Sequence, residues 1–299
     1  MSSDAPAVET KPETQEPVIA PKPAAPEAAA TVAEPQDNEL TKKFTEEERS
    51  GVKALRAKLA EIAEEVYEDN TKHITLWGVE LSPTHPTAES SVVLVKFLRA
   101  REGDLKAAEA MLIATLKWRR EFKVDDLKTE NFPEDVFGKV GVISGKDKDG
   151  RPVTYNFYGA VDPNVVFKDV DQFIRWRVNL MEKGISLINF STVDSMVQVH
   201  DYAGVSLMGG RTPNSKAAAG KASQIFADYY PELLHKKFFV SVPVLLTWIF
   251  YTFTKLLSPA TQNKMSVVGS GPATIAAALH PIIDDAELPK RYGGAGEDI

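Results

Sequence analysis

Residues 238–254 read Phe238-Phe239-Val240-Ser241-Val242-Pro243-Val244-Leu245-Leu246-Thr247-Trp248-Ile249-Phe250-Tyr251-Thr252-Phe253-Thr254, and none of them is charged. Such a run is either a membrane span or two shorter elements. A spanning helix needs about 20 predominantly apolar residues. Here Pro243 interrupts the run near its start, and Ser241, Thr247, Thr252 and Thr254 are scattered through it. Proline removes a backbone donor and suits a boundary between elements, so strand, proline, then helix is the better reading. The strand is expected over Phe238–Val242 and the helix over Val244–Leu257. That helix is apolar nearly all round, which means it is wholly buried or exposed only against something apolar.

Working outward, helices and strands alternate on both sides. Lys139–Ser144 and Pro152–Tyr158 read as strands joined through Asp147-Lys148-Asp149-Gly150, whose Asp-Gly end is a hairpin signal. A helix over Val170–Ile188 precedes a strand over Met196–Tyr202. A helix over Ser215–Asp228 precedes the strand at 238, and a further strand is expected over Met265–Val268. Strands alternating with helices imply crossovers and a largely parallel sheet. Upstream, Thr45-Glu46-Glu47-Glu48 is a capping box ahead of Val52, Leu55, Leu59, Ile62 and Val66 at helical spacing. Helices over Ser91–Arg101 and from the N-cap Asp104 to Phe122 follow, so 45–125 is expected to be all-helical. The fold class is therefore α/β: a helical N-terminal lobe (45–125), then a lobe (126–296) with a mostly parallel sheet.

Residues 1–40 hold eight acids against two lysines, seven prolines and no aromatic residue, and are expected to be a disordered acidic tail. Of the net charge of −7, this segment carries −6, which leaves the rest at −1. The folded part is electrostatically bland, which argues against nucleic acid as a partner. The first 17 residues contain no apolar h-region, so no secretory signal is expected. The absence of cysteine removes disulfides, thiolate nucleophiles and cysteine-held zinc or haem.

Enzyme signatures fail one by one. Gly204-Val205-Ser206-Leu207-Met208 lacks the second glycine of a nucleophile elbow, and Gly269-Ser270-Gly271-Pro272-Ala273-Thr274 lacks the third glycine of a dinucleotide turn. The five histidines show no metal-ligand spacing, and no catalytic constellation is found. In the strand Met196–Tyr202, period two puts Met196, Gln198, His200 and Tyr202 on one face and Val197 and Val199 on the other. At about 3.3 Å per residue, His200 and Tyr202 lie roughly 6.6 Å apart. A central strand face holding Gln, His and Tyr lines a cavity or, alternatively, forms a hydrogen-bonded pair in the core. Arg177 falls within the apolar stripe Ile174, Met181, Ile185 and Ile188. An inward cation wants an anionic partner, the alternatives being a snorkelling arginine or a structural ion pair.

Phe97-Leu98-Arg99-Ala100-Arg101, Ala107-Ala108 and Lys117-Trp118-Arg119-Arg120 resemble the N-terminal signature of the CRAL-TRIO lipid-binding proteins. The resemblance continues through His200-Asp201-Tyr202-Ala203-Gly204, Tyr229-Tyr230-Pro231-Glu232 and Leu288-Pro289-Lys290-Arg291-Tyr292-Gly293-Gly294, covering about 45–294. It is strongest to the fungal phosphatidylinositol transfer proteins, and among those to the non-classical haem-binding subgroup. It implies a non-enzymatic carrier that moves phosphatidylinositol between membranes. The headgroup would be held by Arg101, Glu232 and Lys264, with Thr261 as a nearby hydroxyl, and Val244–Leu257 would be the gate helix of an apolar pocket. Two cations suit a phosphate and a carboxylate suits sugar hydroxyls. Met196 and Gln198 stand where members that also take phosphatidylcholine have small hydroxyl residues, which implies little phosphatidylcholine binding. The haem-binding subgroup implies haem b in the same pocket, with Tyr202 as the axial iron ligand, His200 assisting it, and Tyr158, Arg177 and Lys237 lining the site. Arg101 departs from that subgroup, which has tyrosine there. The alternative function is a haem-binding redox or stress protein; a peroxidase-like enzyme is disfavoured because no distal acid–base pair is identified. The expected location is cytoplasmic, peripheral to the endoplasmic reticulum or other internal membranes, with no stable protein partner.

Overall fold

A computed structural model of the chain describes Met1 and residues 33–205, 212–243 and 262–299. The expected helix Val244–Leu257, and Thr261, lie outside the described residues. Helix α1 (Glu46–Ala57) begins at the expected capping box: Thr45 Oγ1 accepts from Glu48 N (3.2 Å), and Glu48 Oε2 accepts from Thr45 N (3.0 Å). Helices α2 (Leu59–Tyr67), α3 (Ala88–Arg99) and α4 (Leu105–Phe122) complete a bundle whose buried stripe includes Val52, Leu55, Leu59, Ile62 and Val66. Residues 33–40 lie against this bundle, with Glu34 paired to the buried Arg56 (2.9 Å) and Asn38 Nδ2 donating to Phe190 O (3.0 Å).

The N-terminal lobe is not purely helical. A hairpin of β1 (Ile74–Leu76) and β2 (Val79–Leu81) is inserted between α2 and α3. Its two-residue turn is Trp77-Gly78, with φ 53° and 80°, left-handed at both positions as a type I′ turn requires. Tryptophan is a poor residue for that conformation. Its ring compensates by stacking on Phe97 (5.9 Å), Phe190 (6.3 Å) and Tyr230 (6.4 Å), which ties the hairpin to α3 and to the second lobe.

The second lobe is built on five strands in the order β3 (Gly141–Lys146), β4 (Pro152–Phe157), β5 (Met196–Asp201), β6 (Leu234–Val240) and β7 (Met265–Val267). The β3–β4 pair is antiparallel and the rest are parallel. As expected, the β3–β4 turn is built on Asp147, whose Oδ1 accepts from Asp149 N (3.0 Å) and Arg151 N (2.8 Å), with Gly150 at φ 90°. Short helices α5 (Glu134–Phe137) and α6 (Pro163–Val166) flank the sheet. The crossover helices α7 (Val170–Ile185) and α8 (Pro213–Tyr229) link β4 to β5 and β5 to β6. Right-handed crossovers that advance in one direction put successive helices on one face.

The two faces of the sheet are chemically different. Val153, Tyr155, Val197, Val199, Phe238 and Val240 face a core closed by α9 (Pro272–Leu279) and the C-terminal strap through Leu288 and Tyr292. Tyr292 Oη donates to Asp201 Oδ2 (2.9 Å), which pins the strap to the end of β5. The opposite face meets α7, where a Cβ on Gly184 would lie 3.0 Å from Met196 Cε. Among the described residues no helix is long and apolar enough to cross a membrane.

Candidate functional site

Parallel register assembles the site. Thr154 pairs with Gln198 and Gln198 with Lys237; one step on, Asn156 pairs with His200 and His200 with Phe239. Gln198, His200 and Asn156 thus share the face toward α7, with Lys237 and Phe239 beside them. The period-two reading of β5 holds. Tyr158, just beyond β4, donates its hydroxyl to His200 Nδ1 (2.6 Å), and its ring lies 5.7 Å from the imidazole and 5.0 Å from the Tyr202 ring. On its other side His200 Nε2 meets Gln198 Oε1 (3.3 Å). This network assigns the proton of the neutral imidazole to Nε2 and the acceptor role to Nδ1. Burial, then the charges of Lys237 and Arg177, hold His200 well below the ordinary histidine range, and burial pushes the Tyr158 phenol up.

Arg177 lies on the inward stripe of α7, as its spacing indicates, and is 9% exposed. Its Nη1 donates to Asn156 Oδ1 (2.7 Å), and its guanidinium lies 5.4 Å from the centre of the Phe226 ring. Lys237 Nζ lies 5.9 Å from the centre of the Phe239 ring. Among the described residues neither cation has a carboxylate partner; Asp201, the nearest acid in sequence to His200, is bonded to Tyr292 instead. Burial lowers the Arg177 pKa, and burial followed by the Arg177 charge pushes Lys237 down to about 8. A buried and a partly buried cation facing amide and aromatic groups are costly unless an anion joins them. The face can accept one.

A sign follows for stability. The folded Lys237 gives up its proton near pH 8, whereas its ordinary value is 10.5. Its burial penalty is complete below pH 8 and is relieved as pH rises, because the unfolded chain then holds more protons than the folded one. Wild type is therefore expected to gain stability relative to a Lys237→Met variant between pH 8 and 10.5, read from paired denaturant melts without ligand. A constant difference across that range would show that Lys237 is solvated like a surface lysine.

The expected headgroup residues fall near the junction of the lobes. Lys264 Nζ donates to Glu232 Oε2 (2.8 Å), and both side chains remain about one-third exposed, at 30% and 36%. Arg101 stands just past the end of α3 with Nη1 on the adjacent Ala100 O (2.9 Å), and makes no ion pair among the described residues. The structure thus brings Glu232 and Lys264 into contact and leaves Arg101 outside that contact. The turn that carries Glu232 is clamped by the N-terminal lobe. Tyr229 stacks on Trp118 (4.5 Å), and Tyr230 Oη donates to Glu182 Oε1 (2.6 Å), which is also held by Arg119. Burial, then Glu182, pushes the Tyr230 phenol well up. A cleft of about 940 Å³ between the β1–β2 turn and α7, lined by Trp77, Asn179, Glu182 and Phe190 among others, includes none of these candidate residues.

Residue-by-residue sequence reasoning missed Asn156, whose role depends on strand register, and Lys96. The signal for Lys96 was present: one lysine inside Val92-Val93-Leu94-Val95-Lys96-Phe97-Leu98, where apolar neighbours on both sides imply burial. Among the described residues no cluster of three or more His, Asp or Glu could hold a bare metal ion.

Comparison with known proteins places the chain. The CRAL/TRIO domain matches residues 137–294, and the CRAL/TRIO N-terminal domain matches residues 51–114. The chain is 39% identical over 247 residues to the phosphatidylinositol transfer protein sfh5 of Aspergillus oryzae, an alignment covering 77% of this chain and 53% of that protein. It therefore spans about half the length of that relative. With the phosphatidylinositol transfer protein SFH5 of Cryptococcus neoformans var. neoformans it is 38% identical over 245 residues, covering 75% of this chain and 81% of the relative. The crystal structure of Sfh5 superimposes with a TM-score of 0.69 at 29% identity, covering 79% of this chain and 84% of that one.

Proposed function

The chain belongs to the CRAL/TRIO family, and from that premise we propose that it binds phosphatidylinositol and carries it between membranes without making or breaking covalent bonds. The observation that carries this reading is the Glu232–Lys264 contact at 2.8 Å. A carboxylate about one-third exposed beside an ammonium offers acceptors to the inositol hydroxyls and a cation to the phosphate, and Arg101 would add a second cation. Thr261 remains part of the proposed headgroup set, and Val244–Leu257 the proposed gate. Replacing the bilayer around about 30 methylenes, at about 0.8 kcal/mol each, requires an apolar wall worth on the order of 25 kcal/mol. That is the reason a carrier of this kind would work at a membrane surface, docking peripherally and releasing again. The Gln198 carbonyl is committed to His200 and its amide nitrogen lies 4.0 Å from Met196 Sδ, which supports little phosphatidylcholine binding.

Glu232→Ala and Lys264→Ala are each expected to lower phosphatidylinositol transfer between vesicles about tenfold or more, as loss of one charged hydrogen-bonding group would. Transfer at the wild-type rate in both variants would overturn the headgroup assignment.

A second ligand is supported by a separate observation, the buried Arg177 and partly buried Lys237 beside three polar rings. These residues fit haem b. Tyr202 would bind ferric iron as tyrosinate, a ligation known for haem, and Arg177 and Lys237 would meet the propionates. Tyr158 and His200, bonded to each other, would hold the proton network beside Tyr202. A Soret band in the purified protein that is lost in Tyr202→Phe tests this reading; a band unchanged in that variant would remove Tyr202 from the site.

A further inference from the structure

We infer that Lys96, a residue of the N-terminal lobe, is a positioning residue for the Glu232 carboxylate, acting through the Glu232 backbone; the inference rests on the reading of Glu232 as a headgroup ligand. Lys96 is 0% exposed, in a helix whose residues from Val92 to Leu98 are all buried. A lysine there is costly unless its ammonium is fully engaged. Both partners come from the second lobe: Nζ donates to Asp194 Oδ2 (2.9 Å) and to Glu232 O (2.8 Å). Asp194 answers the charge. The bond to the Glu232 carbonyl does something different, because it fixes the peptide plane that leaves residue 232.

Glu232 has φ 52°, in the left-handed region. For a residue other than glycine this costs on the order of 1 kcal/mol and persists only where the surroundings enforce it. The surroundings do so on both sides. Upstream, Tyr230 is anchored to Glu182 and stacked on Trp77. Downstream, Leu233 O accepts from Met196 N (3.0 Å) at the start of β5. Lys96 holds the carbonyl between these anchors. In this backbone conformation the side chain reaches Lys264. Relaxation of residue 232 to an ordinary negative φ would swing the carboxylate away from that ammonium. Helix α3 would then serve the headgroup site twice, through Lys96 beneath Glu232 and through Arg101 at its end.

The test is a mutant cycle read by transfer of phosphatidylinositol from phosphatidylcholine vesicles containing a few per cent of it. Lys96→Met is expected to lower transfer about tenfold, and Lys96→Met combined with Glu232→Ala to fall no further than Glu232→Ala alone. Asp194→Asn strands the buried ammonium and lowers stability, but the amine still donates to the Glu232 carbonyl, so transfer per folded molecule should stay within about twofold of wild type. Lys96→Met/Asp194→Asn leaves no buried charge unpaired, and gives the same reading if Lys96→Met alone does not fold. Additive losses, equal losses in Lys96→Met and Asp194→Asn, or wild-type transfer by a folded Lys96→Met would each overturn the inference while leaving the headgroup reading intact. Wild-type transfer by Glu232→Ala would instead remove the headgroup reading, and the inference with it.

Discussion

Replacing Arg177 with methionine is expected to weaken binding of an anionic ligand roughly ten- to a hundredfold while leaving the ligand-free protein at least as stable as wild type. The two halves of this expectation have one cause. Arg177 is buried, bonded to a neutral amide at Asn156 and packed against Phe226, and no carboxylate among the described residues balances it. Removing one member of a balanced buried pair costs about 3–5 kcal/mol, because the survivor is stranded. Removing a cation that has no partner strands no charge; it relieves a desolvation penalty and leaves Asn156 Oδ1 to find another donor. The ligand, in contrast, loses a charged hydrogen bond worth about 1.5–3 kcal/mol. Titration with ferric haem followed by absorbance gives the first quantity, and denaturant melts of the ligand-free variant give the second. A variant destabilised by several kcal/mol with unchanged haem affinity would mean that Arg177 is a structural residue.

The largest stability loss is expected at Trp77. Truncation to alanine removes three stacking partners at once from a site 6% exposed. Large aromatic-to-alanine changes in a core cost about 3–5 kcal/mol. At about 2–4 °C per kcal/mol, this lowers the melting temperature by roughly 6–20 °C. A second variant separates ring from backbone. Asn is better than Trp at the first position of a type I′ turn, so Trp77→Asn improves the turn and still loses the rings. It is expected to melt well below wild type. A Trp77→Asn protein as stable as wild type would show that the hairpin is held by its turn and that the rings contribute little.

The same tryptophan explains why the hairpin was not legible. Two strands of three residues carry too few alternations to show a period of two, and Trp-Gly is not among the dipeptides that announce a type I′ turn. Longer signals were legible. The capping box at Thr45, the N-cap at Asp104 and the Asp147–Gly150 turn each hold where expected, because they are local bonds between a side chain and nearby backbone. Strand β6 begins at Leu234 and not at Phe238, because His235, Lys236 and Lys237 disguise its first half as loop. Their polarity reflects what those positions face, and only register with β5 reveals that. Helix α9 was missed although its signals were local, with Pro272 at the first turn after Gly271 at φ 98°. Gly269 and Gly271 partly match a dinucleotide turn, and that pattern overlaps an ordinary helix start. Within the site, Gln198, His200 and the inward turn of Arg177 followed from periodicity. Asn156, the partner of Arg177, comes from another strand, and the Lys96 clamp on the Glu232 backbone comes from the other lobe; periodicity is silent about both.

The five strands lie side by side in the order in which the chain supplies them. Many doubly wound sheets begin in the middle and must later add strands on both flanks. Here each new strand meets a free edge left by its predecessor, and none has to be inserted between two that are already paired. A polypeptide emerging from the ribosome could therefore lay this sheet down in one sweep, from the β3–β4 hairpin toward β7. The strap at Tyr292 follows β7 and α9 in the chain and closes on the end of β5. Until α9 and the strap are both in place, the apolar back of the sheet is incompletely covered, and a partly folded chain is aggregation-prone.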